Sequence, residues 1–240
     1  MEVWLMIVIA TVIMQISVFC TTIYLHRALT HRGLEVREPL ATLMHLHLSL
    51  FTGIVPREWV AVHRKHHQFS DKEGDPHSPY LEGLWTVFFG NVYFYRKTAN
   101  DAAVVRKYTP DYKGTIIDKV PQQNRIFMIF GMALFVWMFG WAWGIGLYLA
   151  QGLVYIFLNA SINSICHMLG YRNFDNLATN VRWIALITGG EGLHNNHHEY
   201  PTAAHFAMKG FEIDPAWPII KLFEGLGQIR VKRLPVAKAA

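Results

Sequence analysis

The chain has 240 residues, of which 52% are hydrophobic, 14% aromatic and only 16% charged, against about 25% charged in an average soluble domain. That balance argues against an ordinary water-soluble enzyme and for a membrane protein. The formal net charge is +5, but no Lys or Arg precedes Arg27 or falls between Arg125 and Arg172, so the excess reads as orientation and headgroup contact and excludes nucleic-acid binding.

Residues 3–25 carry no charge and, at about 1.5 Å per helical residue, cross a hydrocarbon core of about 30 Å. They form one predicted transmembrane helix. The stretch lacks a basic start, and Phe19 before Cys20 is no cleavage site, so it is expected to stay attached. Residues 39–55 are apolar but interrupted by His45, His47 and Ser49, which predicts an interfacial or re-entrant helix; residues 84–95 are read the same way. From 126 to 162 runs a second uncharged stretch, too long for one span and punctuated by Gly140, Gly144 and Gly146. Two helices, 126–139 and 145–162, fit it, with Trp137, Trp141 and Trp143 at the interface.

The polar segments, residues 57–125 and 171–240, are expected to fold as a helical cap. The expectation is an all-α integral membrane protein of about three transmembrane helices plus interfacial helices, a single domain over 1–240. The positive-inside rule puts the cap in the cytoplasm. Cys20 and Cys166 are too few for a disulfide framework and read as small apolar filler, with ligation by Cys166 the lesser reading.

Nine of the 13 histidines gather as His26 and His31; His63, His66 and His67; His194, His197 and His198; and His167 alone. One transition ion takes about four to six ligands, so nine imidazoles overfill one site and suit two. Residues three and four apart share a helical face, so each triplet can present a fan of ring nitrogens. His26 and His31 are five apart and converge only if the first helix loosens as it leaves the bilayer. Asn163 and His167 stand four apart, which suggests a ninth imidazole ligand with Asn163 holding a metal-bound water, or a polar pair at a helix end. Asp71, Asp75, Asp175 and Glu191 would either orient the rings through their second nitrogens or cap turns and pair with Arg172 or Arg182. His45, His47 and His205 lack partners at ligand spacing and are assigned to surface or headgroup contact.

Four stretches, HRALTHR at 26–32, HRKHHQFSDKEGDPHSP at 63–79, NSICHMLGYRNFD at 163–175 and GEGLHNNHHEYP at 190–201, resemble the membrane-bound fatty-acid desaturases, in the delta-9 acyl-CoA or acyl-lipid branch. The resemblance implies a di-iron enzyme that uses O2 and two electrons to introduce a cis double bond into a saturated acyl chain on CoA or lipid. The nine clustered histidines would be the iron ligands, with Asn163 acting through water and His77 making a structural hydrogen bond. Imidazole alone does not select iron, and zinc can substitute in a preparation.

Substrate is expected to reach the metals through an apolar tunnel walled by the first span and residues 147–158. Trp59 and Trp183 would either position the chain or pack in the core, and Arg96 and Lys97 would either meet its headgroup or serve as interfacial anchors. No His-Pro-Gly-Gly haem motif occurs, so electrons would come from a separate donor of ferredoxin, rubredoxin or cytochrome b5 type. Animal and fungal relatives carry two spans before the first histidine pair where this chain has room for one; that suggests a compact bacterial form of the inner membrane. The rival readings are a di-iron hydroxylase and, more distantly, a metal or haem transporter, which the clustering of all histidines at one membrane face argues against.

Overall fold

The computed structural model describes residues 1–234; the last six residues of the expected cap, 235–240, lie outside them. The first helix changes pitch along its length. Helix α1 (Val3–Cys20) continues without a break into a π-helical segment, Thr21–Thr30, whose widened turn bonds residue i to i+5. The His31 N–H donates to the His26 carbonyl at 3.1 Å. A five-residue repeat returns the chain to the same side, so His26 and His31 face each other with ring centroids 4.8 Å apart. This is the loosening that their spacing demanded.

A short strand, β1 (Leu34–Val36), then leads into α2 (Glu38–Phe51) and α3 (Pro56–Phe69), which meet at 92°. His47 Nε2 lies 3.0 Å from Ser17 Oγ and 3.2 Å from the Ile13 carbonyl, so α2 descends along α1. Proline opens both helices, where no N–H is needed. Helix α3 returns to the histidine-bearing end of α1. The helix expected over 39–55 is therefore the first limb of a bent pair, a re-entrant loop or a broken span, with α3 as its second limb.

Next come α4 (Pro79–Glu82), α5 (Leu84–Ala99), α6 (Ala102–Tyr108) and a 3₁₀ turn, Ile116–Lys119. The long uncharged stretch folds as a hairpin of α7 (Gln123–Phe139) and α8 (Trp141–Asn163). Its turn is Gly140 alone, at φ +77°, a conformation that L side chains avoid. Gly144 and Gly146 are not turn residues, as the sequence suggested, but lie inside α8. A Cβ on Gly144 would stand 2.5 Å from Val136 Cα, so its bareness lets the two helices touch. Trp137, Trp141 and Trp143 are exposed around the turn, as an interfacial belt requires.

Two helical runs, Val3–Thr30 and Trp141–Met168, are long and apolar enough to cross a membrane, and the bent α2–α3 pair would be a third only if it were one broken span. Helix α7, the remaining predicted span, is 17 residues long and lies beside α8. The end of the chain supplies α9 (Ile165–Met168), α10 (Arg182–Ile187), α11 (His194–Glu199) and α12 (Ala216–Gly225). Strand β2 (Ile229–Val231) then pairs antiparallel with β1, Leu34 opposite Val231. This two-stranded ribbon is the one departure from the all-α expectation among the described residues. It ties the exit of α1 to the end of the cap over a core of Ile23, Leu25, Leu34, Leu48, Ala216 and Ile220.

Candidate metal centre

All nine clustered histidines meet in one place and divide into two sets. His26, His31, His63, His67 and His197 form one; His66, His167, His194 and His198 form the other. Within each set the ligand atoms lie within 4.8 Å of one another. In the first, Nε2 of His197 lies 3.0 Å from that of His26 and 2.9 Å from that of His67, which is 3.1 Å from His63 Nε2. In the second, Nε2 of His194 lies 3.0 Å from His167 and 3.1 Å from His198. Two nitrogens each about 2.1 Å from a shared ion, at right angles, stand about 3 Å apart.

The protonation pattern agrees with metal binding. Nδ1 of His26 meets the Glu191 carboxylate at 2.7 Å, that of His66 meets Asp75 at 3.0 Å and that of His167 meets Asp71 at 2.7 Å. Each Nδ1–H donates to its carboxylate, which leaves the Nε2 lone pair directed inward. Burial, and then the neighbouring rings, holds His31, His194, His197 and His198 well below the usual imidazole range, so they are neutral at pH 7. Lone pairs converging at 3 Å repel unless a cation lies among them. His31 Nε2 is buried with no hydrogen-bond partner among the described residues, as a ring awaiting a metal would be. The donor set fits two nitrogen-loving ions.

Three of the four carboxylates expected to orient rings do so. The exception is Asp175, which is exposed in its loop and makes no hydrogen bond to a histidine. Asp71 reaches His167 because its own backbone turns left-handed, φ +59°, as the chain leaves α3. His77 stacks on His66 at 4.6 Å, and its structural hydrogen bond is made by the backbone N–H, to Asp75 at 3.0 Å. Asn163 ends α8, with the non-helical Ser164 between it and α9, and its Nδ2 donates to Asn91 Oδ1 at 2.9 Å.

The other histidines correct the surface reading. His45 is fully buried, with Nδ1 2.8 Å from Thr115 Oγ1. His47 clamps α1 to α2, as above, and His205 stacks on Trp217 at 4.7 Å. The polar partners of His45 and His47 lie far away in sequence, so spacing could not reveal them.

A cavity of about 460 Å³ runs from His26, His63 and Glu191 between α1, α5 and α8, lined by Val18, Thr21 and the Tyr148–Asn163 stretch of α8. Its walls are those expected of the tunnel, with the α2–α3 turn and α5 added. Trp59 lines it, stacked on His63 at 4.8 Å, and Arg96 stands at its edge with Glu58 at 4.0 Å. Trp183 is 60% exposed on α10 and Lys97 is exposed on α5; neither lines the cavity, so neither fits its expected substrate role.

Sequence reasoning missed the scaffold around the rings. Arg27 is fully buried; it donates to both Asp214 oxygens at 2.8 and 2.9 Å, to the Ala204 and Gly189 carbonyls, and stacks over Phe206. Asn195 and Asn196, on the opposite side of α11 from the rings, bind Asn173, Phe174, Asn176, Asn180, Phe206 and Glu212. A charged residue beside His26 and two amides between histidines were the available signals.

Residues 2–212 match the family described as fatty acid desaturase. The chain is 31% identical to Delta-9 acyl-lipid desaturase 2 of Arabidopsis thaliana over 89% of its own length and 70% of that protein's. It is 35% identical to Acyl-CoA C20 Delta5-desaturase of Anemone leveillei, over 88% and 68%, and 32% identical to Acyl-CoA 5-desaturase AL21 of the same plant, over 91% and 68%. With nine imidazoles converging at the end of a membrane-capable helix and a cavity leading to them, the chain belongs to the fatty acid desaturase family.

Proposed function

We propose that this protein is an O2-dependent di-iron desaturase that places a cis double bond, at the delta-9 position, in a saturated fatty acyl chain carried on CoA or lipid. The single observation that carries the reading is the division of nine rings into two adjacent sets, of five and four, beside an apolar cavity. An iron pair held there would supply the oxidant, so that one O2, two electrons and two protons become two waters as two hydrogens leave neighbouring methylenes.

The chain's own residues hold and orient. Glu191, Asp75 and Asp71 keep His26, His66 and His167 in the tautomer that presents Nε2. The four-ring set has one nitrogen fewer, and Asn163, at the end of α8, would hold a water in that place. Trp59, stacked on His63, forms the wall against which the acyl chain lies as it passes the metals, and Arg96 meets its headgroup. No side chain need act as a general base. Electrons come from a separate carrier of ferredoxin, rubredoxin or cytochrome b5 type. The metal side faces the cytoplasm of a bacterial inner membrane, because the cations gather on that side.

Expression in a host that makes no unsaturated lipid tests the reading. A fatty acid two hydrogens lighter, with its double bond at carbon nine, is the expected product. A chain one oxygen heavier would mean hydroxylation. Alanine at His26, His66, His167 or His197 should abolish product while membrane insertion persists, and full activity in two such variants would overturn the ligand assignment.

A further inference from the structure

Both flanks of α8 line the cavity. Tyr148, Gln151 and Tyr155 are buried against the Leu50 carbonyl, the Phe51 carbonyl and Thr21. Leu149, Leu153 and Ile156 line it as well, yet they are 58%, 54% and 36% exposed. Val92 of α5 and Met128 of α7, 47% and 38% exposed, complete the rim. Residues that line a cavity and also reach the outer surface mark its mouth. These positions on α8 lie along a membrane-capable run, so the mouth faces hydrocarbon and not water.

We propose that the substrate enters sideways through this slot as an acyl chain still esterified to a membrane glycerolipid, a narrowing that rests on the desaturase reading above. Charge supports the choice of carrier. Arg96 is the single Lys or Arg among the described residues lining the cavity, and Glu58 stands 4.0 Å from it. Two more arginines, Arg57 and Arg106, line an adjoining recess that shares Glu58 with the cavity, but neither lines the cavity itself, and Arg57 Nε already donates to Thr109 Oγ1. One cation beside a carboxylate suits a lipid headgroup with a single phosphodiester and poorly matches the several phosphate charges of CoA. Arg96 lies in the last turn of α5, where an interfacial arginine belongs. The rim runs from there to Leu149, so a tail can slide in while its headgroup stays at the surface.

Membranes bearing the protein, supplied with NADH and O2, would be given, in separate assays, deuterated stearoyl-CoA or a distearoyl glycerophospholipid labelled with carbon-13 in the glycerol and deuterium in the acyl chains. The expected product is an unsaturated lipid that keeps both labels in one molecule. In parallel, purified protein in phosphatidylcholine vesicles would be irradiated with a phospholipid bearing a diazirine in its acyl chain, with adducts expected on α5 and α8. Leu153→Trp and Val92→Trp should each cut that labelling several-fold without lowering metal content. Unsaturation found only on the CoA thioester, absence of lipid adducts at the slot, or adducts suppressed by stearoyl-CoA but not by unlabelled phospholipid would overturn the lateral route and leave the desaturase reading standing. Lipid adducts at the slot with no unsaturated product on either carrier would support the route and sink the reading beneath it.

Discussion

Glu191, Asp75 and Asp71 each accept one Nδ1–H at 2.7–3.0 Å, and a partner of this kind is worth about 10- to 100-fold in metal affinity. Glu191→Gln, which can present its amide in place of the acceptor oxygen, should lower metal affinity by about tenfold or more, read as a lower metal content in elemental analysis of the purified variant. Glu191 also accepts from Thr22, so the same change loosens the π-helical segment that carries His26. The two tryptophans part company: Trp59→Ala should reduce product several-fold, whereas Trp183→Ala, on the exposed face of α10, should leave the fatty-acid profile unchanged. The histidines were legible because metal ligands come in fixed numbers at helical spacings. Separating Asp71 from Asp175 was not possible from spacing, since the left-handed turn that aims Asp71 at His167 is a backbone conformation that the residue type does not announce.

Among the elements, α11 is the most dependent on its surroundings. Six residues are too few to hold a helix in isolation, and yet α11 delivers His197 to one set and His194 and His198 to the other. Asn196 fixes it by donating to the Phe206 carbonyl and Glu212 and accepting from Asn173 and Asn180. Asn196→Leu would strand several buried polar groups at about 1–3 kcal/mol each. Loss of metal from both sets together, and a lower melting temperature, are expected; retention of one full set would show that α11 is not the shared support. The spans were readable because a bilayer demands long uncharged runs. The π-helical segment was readable only as a spacing that an α-helix cannot satisfy, because its apolar pattern is equally compatible with an α-helix. Helix α3, likewise, shows its histidine face plainly, while the 92° corner that sends it back depends on contacts with α7 and α8: a Cβ on Gly53 would meet Met128, and Gln151 Nε2 donates to the Phe51 carbonyl.

Across the whole molecule, the metal-facing end of α1 is held to the cap by the Arg27–Asp214 pair, both side chains fully shielded from water. Asp214 also accepts from the backbone N–H groups of Phe206 and Ala216, so the pair organises the segment that follows the last histidines. Such a pair gains little over a well-packed apolar substitute, but removing one member leaves a buried, uncompensated charge at a cost of about 3–5 kcal/mol. Asp214→Leu and Arg27→Met should therefore each lower the thermal midpoint sharply and release metal, because His26 is the immediate neighbour of Arg27. The double variant Arg27→Met/Asp214→Leu should be more stable than either single one, since no charge is left stranded. Additive losses in the double variant would show that the two groups act independently and that something else joins the cap to the span. Partial recovery of metal content along with the midpoint would mean that the pair acts on the metal centre through the position of the π-helical segment, which carries His26 and continues the first span.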